Sequence, residues 1–178
     1  MEKLPNLLVT GSPGVGKHTL TQLLHHVLVD SYCSSQSLTL LDLARLIEEH
    51  GLRTYTSPTE FVVQETQLQQ VISSALQRGG LIAVAQQCQF MQADWFDLVL
   101  VMRTQVPVLY ERLAARGYSA KRILQILEAE SNNEAGEAAY GKFHSVYEVE
   151  SNEWTDVEDA VGLVLEYLER AVDNWLSY

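Results

Sequence analysis

The sequence predicts an α/β protein of the P-loop NTPase type, a three-layer sandwich with a five-stranded parallel sheet and helices on both faces. Three observations predict it. Short apolar runs alternate with longer segments of helical spacing along the 178 residues. Two runs, 81–85 and 98–102, are apolar throughout, as in strands covered on both faces. A glycine-rich segment that ends in lysine follows the first run.

The strands are predicted from short apolar or alternating runs. We expect them over residues 6–10, around 37–41, over 81–85, over 98–102 and over 145–149. The sequence contains no internal repeat, low-complexity tract or linker, so we expect residues 1–178 to form one domain.

The helices are predicted from apolar spacing and from residues typical of helix ends. Asp42 is a suitable N-cap, the 57–60 segment resembles a helix start, and glycines stand where helices should stop. We expect helices from residue 17 onward, from 42 to 51, from 57 through 76, over 106–116, over 121–129 and over 156–175. Residues 131–136 are polar and unpatterned, and predict a loop.

The segment from Gly11 to Lys17 matches the phosphate-binding pattern G-x-x-x-x-G-K between a predicted strand and a predicted helix. Its glycines allow consecutive backbone N–H groups to converge on phosphate oxygens, and Lys17 can reach the β- and γ-phosphates. The pattern predicts ATP binding. The predicted contacts are Gly11, Pro13, Gly14, Val15, Gly16, Lys17, His18 and Thr19.

The residue after the loop lysine departs from the usual pattern. A Ser or Thr hydroxyl normally binds Mg²⁺ there, but this chain has His18, whose imidazole suits that hard ion poorly. Thr19 offers a hydroxyl one residue later and is the predicted metal ligand. We therefore expect Mg²⁺ to bind with the nucleotide at a weakened site.

Charge and composition argue against several classes of protein. The formal charge of −11 argues against broad nucleic-acid binding. No apolar run is long enough for a membrane span and no signal peptide begins the chain, so we expect an intracellular protein. Cys33 and Cys88 are isolated and predict neither a disulfide framework nor a metal motif.

Acidic residues concentrate in the last third of the chain. They are Glu128, Glu130, Glu134, Glu137, Glu148, Glu150, Glu153, Asp156, Glu158 and Asp159. Two interpretations stay open: a solvated face that keeps the protein soluble, or a docking surface that attracts a basic partner.

Several segments in the same order resemble the adenylate kinase isoenzyme 6 family, also called coilin-interacting nuclear ATPase. The matching segments are 4–17, 42–45, 79–82, 95–96, 101–104, 108–113 and 115–118. The resemblance runs from about residue 4 to 122 and fades in the acidic last third.

This resemblance implies a slow adenylate kinase or ATPase. AMP would bind at about residues 40–63, where Asp42 and Arg45 are the candidate contacts, and a lid at about 115–125 would close over ATP. Arg116 would contact the ATP phosphates with Arg112 alongside, because a guanidinium holds phosphate oxygens bidentately; a surface salt bridge is the alternative for each arginine. The resemblance also implies a basic small-subunit ribosomal protein as partner, and a nuclear or cytoplasmic location.

The chain departs from that family where the metal and the base are expected. The family's Val-Asp-Tyr-His is 83–86 here, so that Val84 replaces the aspartate and Gln86 the histidine. The family's Cys-Asp becomes Cys88 and Gln89, and the acidic residues of its AMP region are largely missing. Asp94 and Asp97 precede the fourth strand, away from the nucleotide, where they are expected to cap or to be solvated.

Two functions follow from the retained loop and the lost carboxylate. One is an enzyme that transfers the γ-phosphoryl group of ATP to AMP or to water, with Lys17 and Arg116 stabilising charge. The other is a catalytically impaired, nucleotide-binding assembly module whose partner affinity follows ATP occupancy.

Overall fold

The computed structural model describes residues 3–32, 38–57 and 61–176. The strands are β1 (Leu7–Thr10), β2 (Thr39–Asp42), β3 (Arg53–Tyr55), β4 (Phe61–Val63), β5 (Leu81–Val84), β6 (Leu98–Arg103) and β7 (Val146–Glu150). The helices are α1 (Lys17–Tyr32), α2 (Leu43–Glu49), α3 (Glu65–Arg78), α4 (Val106–Ala115), α5 (Ala120–Ser131), α6 (Glu134–Tyr140) and α7 (Trp154–Leu176). Five strands form a parallel sheet in the order β2-β5-β1-β6-β7, which confirms the predicted fold class.

The three central strands of the sheet, β5, β1 and β6, are buried on both faces because they are apolar at successive positions. Leu7 and Val9 of β1 pack into a core with apolar side chains of α1, α4, α5 and α7. Leu8, which points the other way, packs with side chains of α2, α3 and α6. β1 lies at the centre of the sheet, so the glycine-rich loop after it emerges at the carboxyl edge, where α/β proteins bind ligands.

The helix predicted from 57 through 76 is wrong over residues 61–63. Residues 58–60 lie outside the described residues, but Phe61–Val63 forms β4, paired antiparallel with β3. Its aromatic and β-branched side chains favour a strand, and the helix begins only at Glu65. The start of the predicted second strand and Cys33 also lie outside the described residues.

The predicted loop over 131–136 is also wrong, because α6 begins within it. Asn133 adopts a left-handed conformation (φ 52°) between α5 and α6, and its side chain accepts a hydrogen bond from Gly136 N at 3.2 Å. A Cβ at Gly136 would clash with the side chain of Asn133, so a larger residue there would displace this cap. α6 then places Ala139 in the core.

Asp42 caps α2 as predicted, with its Oδ1 accepting from Ala44 N at 3.0 Å and Arg45 N at 3.2 Å. Asp97 lies at the far end of the sheet, where its Oδ2 accepts from Asn6 N at 2.7 Å. In the part of the chain that the structure describes, we find no helix with the length and apolarity needed to cross a membrane.

Candidate nucleotide-binding site

The phosphate loop joins β1 to α1 and depends on glycine at two crowded positions. Gly11 has φ 141°, and a Cβ there would lie 2.6 Å from the carbonyl oxygen of Met102. Gly14 has φ 93°, and its Cβ would lie 2.9 Å from a methyl group of Leu109. Larger residues would therefore move the loop off β6 or α4 and disturb the backbone N–H groups that face the ligand.

Lys17 is buried at the first turn of α1, and its ammonium group lies over the loop. Its Nζ donates to Gly11 O at 2.7 Å and to Ser12 O at 2.8 Å. Burial lowers the pKa of Lys17 to about 8, although the negative charge of Glu130 opposes this effect. Within the described ranges the ammonium thus bonds only neutral carbonyls, and an anionic phosphate would add a favourable charge interaction.

A buried carboxylate contacts the phosphate loop. Glu130, at the end of α5, is 3% exposed, and its Oε2 accepts from Ser12 Oγ at 2.6 Å. Its Oε1 accepts from Arg103 Nε at 2.9 Å and from Thr104 N at 3.1 Å. This cluster connects the loop to the end of β6 and to α5.

A cleft of about 450 Å³ opens on one side of the loop. Thr19, Arg112, Arg116, Asn152 and Trp154 line it, together with the loop glycines 14 and 16. The Arg112 guanidinium donates from Nη2 to Asn152 O at 3.0 Å, whereas the exposed Arg116 side chain makes no hydrogen bond or ion pair among the described residues. Burial, aided by the positive charge of Arg116, lowers the pKa of Arg112, which still stays charged at neutral pH. The two arginines therefore lie where an anion could bind.

Two adjoining cavities of about 230 Å³ each open on the other side of the loop. Gln86, Gln87 and Arg122 line both. One reaches Ser12 and Pro13, and the other is walled by apolar side chains of α2, β4 and the 85–90 segment. Arg53 lies there with its guanidinium 4.6 Å from the Phe61 ring centroid, and its buried Nε has no hydrogen-bond partner among the residues that the structure describes. Residues of the loop thus line cavities on both of its sides.

The residues at the expected metal position do not fit Mg²⁺. His18 and Thr19 face different directions at the start of α1: Thr19 lines the larger cleft, and His18 Nε2 lies 2.9 Å from Asp42 Oδ2. Val84, at the end of β5, carries no ligating atom and pairs in register with Asp42. Because Mg²⁺ requires oxygen ligands, an imidazole after the loop lysine and a valine at the strand end are the wrong donors.

The structure brings most of the sequence-predicted residues together around the loop, but Arg45 lies apart from them. Arg45 lies on the exposed face of α2, where its Nε donates to Glu49 at 2.6 Å. Sequence reasoning missed Glu130, Arg53 and Arg122. Only Glu130 carried a signal, since it follows Ile123 and Ile126 at the spacing of the buried face of α5.

The sheet order, the phosphate loop and the flanking clefts define a P-loop nucleotide kinase fold. Comparison with known proteins agrees. Residues 7–137 match the family model described as AAA domain. The chain is 32% identical to an adenylate kinase isoenzyme 6 homolog of Caenorhabditis elegans, over 71% of this chain and 67% of the relative. It is 29% identical to the Schizosaccharomyces pombe homolog, over 97% and 94% of the two chains.

The chain therefore belongs to the AAA domain family and to the adenylate kinase isoenzyme 6 family, which confirms the resemblance. Solved structures support the fold. A shikimate kinase from Bacteroides thetaiotaomicron superposes with a TM-score of 0.61 at 16% identity, over 93% of this chain and 98% of that chain. Another, from Acinetobacter baumannii with shikimate bound, gives 0.60 at 19% identity, over 96% of each chain.

Proposed function

We propose that the chain binds ATP at the 11–19 loop and transfers its γ-phosphoryl group to AMP, or slowly to water. The observation that carries this proposal is the position of the loop between an arginine-bearing cleft and a second pair of cavities. ATP would occupy the cleft with Arg112 and Arg116, and AMP would occupy the opposite cavities. Such an arrangement places donor and acceptor on either side of the transferred group.

The transfer itself needs little covalent help from the protein. A phosphate oxygen of AMP attacks the γ-phosphorus, the bond to the β-phosphate oxygen breaks, and two ADP molecules result. Lys17 would neutralise the β- and γ-phosphates, and Arg116 would approach from the turn between α4 and α5. Residues 115–125, which contain that turn, are the proposed lid, and residues 40–63 the proposed AMP-binding region of a single kinase-like domain.

The side chains that line the proposed acceptor cavity suit a flat ring beside a phosphate. Phe61, Phe90 and Ile47 offer apolar walls, and Arg53 and Arg122 offer positive charge. Asp42, the N-cap of α2, lies two positions before Ala44, which lines this cavity, and Arg45 remains a candidate contact from the exposed face of α2. We propose that a nucleobase packs against the apolar wall while an arginine binds the acceptor phosphate.

The second candidate function is a nucleotide-dependent binding module. Val84 and Gln86 favour it, because the strand end lacks the carboxylate that would hold a metal near the phosphates. The proposed partner is a basic small-subunit ribosomal protein. Its proposed docking surface consists of exposed acidic residues at and just before the start of α7, namely Glu153, Glu158 and Asp159. We also propose a nuclear location. Replacing these three acids by amides should weaken capture of that protein; unchanged capture would remove the partner proposal.

A coupled assay for ADP formation from ATP and AMP separates the two functions when combined with thermal shifts. Lys17→Ala should abolish both ADP formation and the ATP-induced rise in Tm, whereas Lys3→Ala, at the far end of the sheet, should change neither. ADP formation equal to that of Lys17→Ala, with the ATP-induced Tm rise retained, would favour the module. No Tm rise with any nucleotide would contradict both.

A further inference from the structure

The further inference concerns the pair formed by His18 and Asp42 at the start of α1. His18 follows the loop lysine, at the position from which a P-loop protein contacts its nucleotide-bound metal. Its Nε2 lies 2.9 Å from Asp42 Oδ2, and the two side chains are 64% and 34% exposed. Both potential ligand atoms are therefore close together on partly exposed side chains.

The Asp42 carboxylate is oriented by the fold rather than by His18 alone. Its Oδ1 accepts from the backbone N–H groups of Ala44 and Arg45 at the cap of α2, which leaves Oδ2 towards His18. Asp42 also ends β2 directly beside Val84 of β5 in the sheet register. A carboxylate is thus retained at this edge, one strand away from the position that β5 leaves apolar.

The separation of the two atoms suits a shared ion. Two neighbouring ligands of an octahedral ion, each about 2.1 Å from it, lie about 3 Å apart. Neutral imidazole can carry its proton on Nδ1 and leave Nε2 free to coordinate. In the described ranges no group of three His, Cys, Asp or Glu side chains could hold a metal, so phosphate oxygens and water must complete the coordination.

We propose that His18 Nε2 and Asp42 Oδ2 form a nucleotide-dependent site for a first-row transition-metal ion, Mn²⁺ or Co²⁺, in preference to Mg²⁺. Imidazole nitrogen binds transition metals more readily than Mg²⁺, and carboxylate and phosphate oxygens accept either. The site rests on the proposed function, since ATP supplies the remaining ligands. It explains how a metal–nucleotide complex binds to a loop that lacks the usual hydroxyl after its lysine.

The test measures binding rather than turnover. The full chain is titrated with a non-hydrolysable ATP analogue in Mg²⁺, Mn²⁺ or Co²⁺, and without metal. After correction for metal affinity of the free analogue, binding should be about tenfold or more tighter with Mn²⁺ or Co²⁺ than with Mg²⁺. Pulsed electron paramagnetic resonance of bound Mn²⁺ should show ¹⁴N coupling from the imidazole.

Three variants assign the ligand. His18→Thr should remove both the metal preference and the ¹⁴N coupling, whereas Thr19→Val should keep both. His26→Thr is the matched control, because His26 is an exposed histidine of α1 that also lies near an aspartate, Asp30, at 3.7 Å. It should behave as the wild type.

The outcomes separate this inference from the function on which it rests. Equal affinity with Mg²⁺ and Mn²⁺ and no ¹⁴N coupling would overturn the metal site and leave ATP binding intact. Loss of the preference in Thr19→Val but not in His18→Thr would also overturn it. If the analogue binds under none of the four conditions, both proposals fall.

Discussion

The carboxylate of Glu130 accepts a hydrogen bond from the hydroxyl of Ser12 at 2.6 Å, and both residues are buried. The partners are 118 positions apart in the chain, and the contact fixes the second residue of the phosphate loop to the end of α5. Arg103 and Thr104 N complete the bonds of the carboxylate. The loop is therefore supported by a charged cluster as well as by its glycines.

Glu130→Gln should destabilise the fold by about 2 kcal/mol. The amide keeps the shape, but its nitrogen cannot accept from Ser12 or Arg103, and Arg103 loses its nearest negative charge. Urea denaturation measures the change, with the exposed Glu128→Gln, two positions away, as the control, expected within about 0.5 kcal/mol of wild type. Equal unfolding midpoints for the two variants would contradict the structural role of Glu130.

ATP binding should take up protons above about pH 8. In the free protein burial lowers the pKa of Lys17 to about 8, and bound phosphate should raise it again. Below about pH 8 both states are protonated, so the affinity is constant. As the pH rises through 8, the free protein loses the proton while the complex keeps it, and the affinity should fall by up to about tenfold per pH unit.

Calorimetry around pH 9 in two buffers of different ionisation enthalpy measures this proton uptake. Lys17→Arg is the control, because its guanidinium stays charged and should abolish the uptake. A binding enthalpy that is independent of the buffer in the wild-type protein would show that Lys17 does not titrate on binding.

The fold was predictable from local patterns because its strands and helices carry strong ones. The runs that became β5 and β6 are apolar throughout, and the glycine-rich segment lies between a strand and a helix as expected. The β3–β4 hairpin was missed because it is short and its pairing partner decides its conformation. α6 was missed because its start depends on the left-handed Asn133 and on Glu148, which accepts from Asn133 Nδ2 at 2.7 Å.

The candidate site was only partly predictable from the sequence, because some of its contacts join residues that are distant in the chain. The loop residues follow from a contiguous motif, whereas the contacts of Glu130 depend on tertiary packing. Glu130 was counted among the acidic surface residues, and the structure corrects this, since its carboxylate is enclosed by Ser12 and Arg103. The solvated or docking interpretations apply only to the exposed acids of the last third.

Replacing Arg116 by alanine and replacing Arg112 by alanine should have different effects on stability and on ATP affinity. Arg116 is exposed and bonds no described residue, so Arg116→Ala should leave the Tm unchanged and raise the Kd for ATP about tenfold. Arg112 donates to Asn152 O, so Arg112→Ala should lower the free energy of unfolding by about 1 kcal/mol. Thermal denaturation and nucleotide titration of both variants check this, and a destabilised Arg116→Ala would show a structural role instead.

Restoring a carboxylate at the end of β5 should increase Mg²⁺-dependent ADP formation. Val84 is 2% exposed and lies beside Asp42 at the carboxyl edge of the sheet, close to the start of α1. Val84→Asp combined with Gln86→His supplies an oxygen ligand for Mg²⁺ and a base, at the cost of apolar burial in the strand. The coupled assay, run across a range of Mg²⁺ concentrations, should show a higher rate and a lower Mg²⁺ requirement. Val84→Asn with Gln86→His is the matched control, because the amide has the same shape without the charge. An equal gain in that control, or no gain in either variant, would mean that the lost carboxylate does not limit the activity.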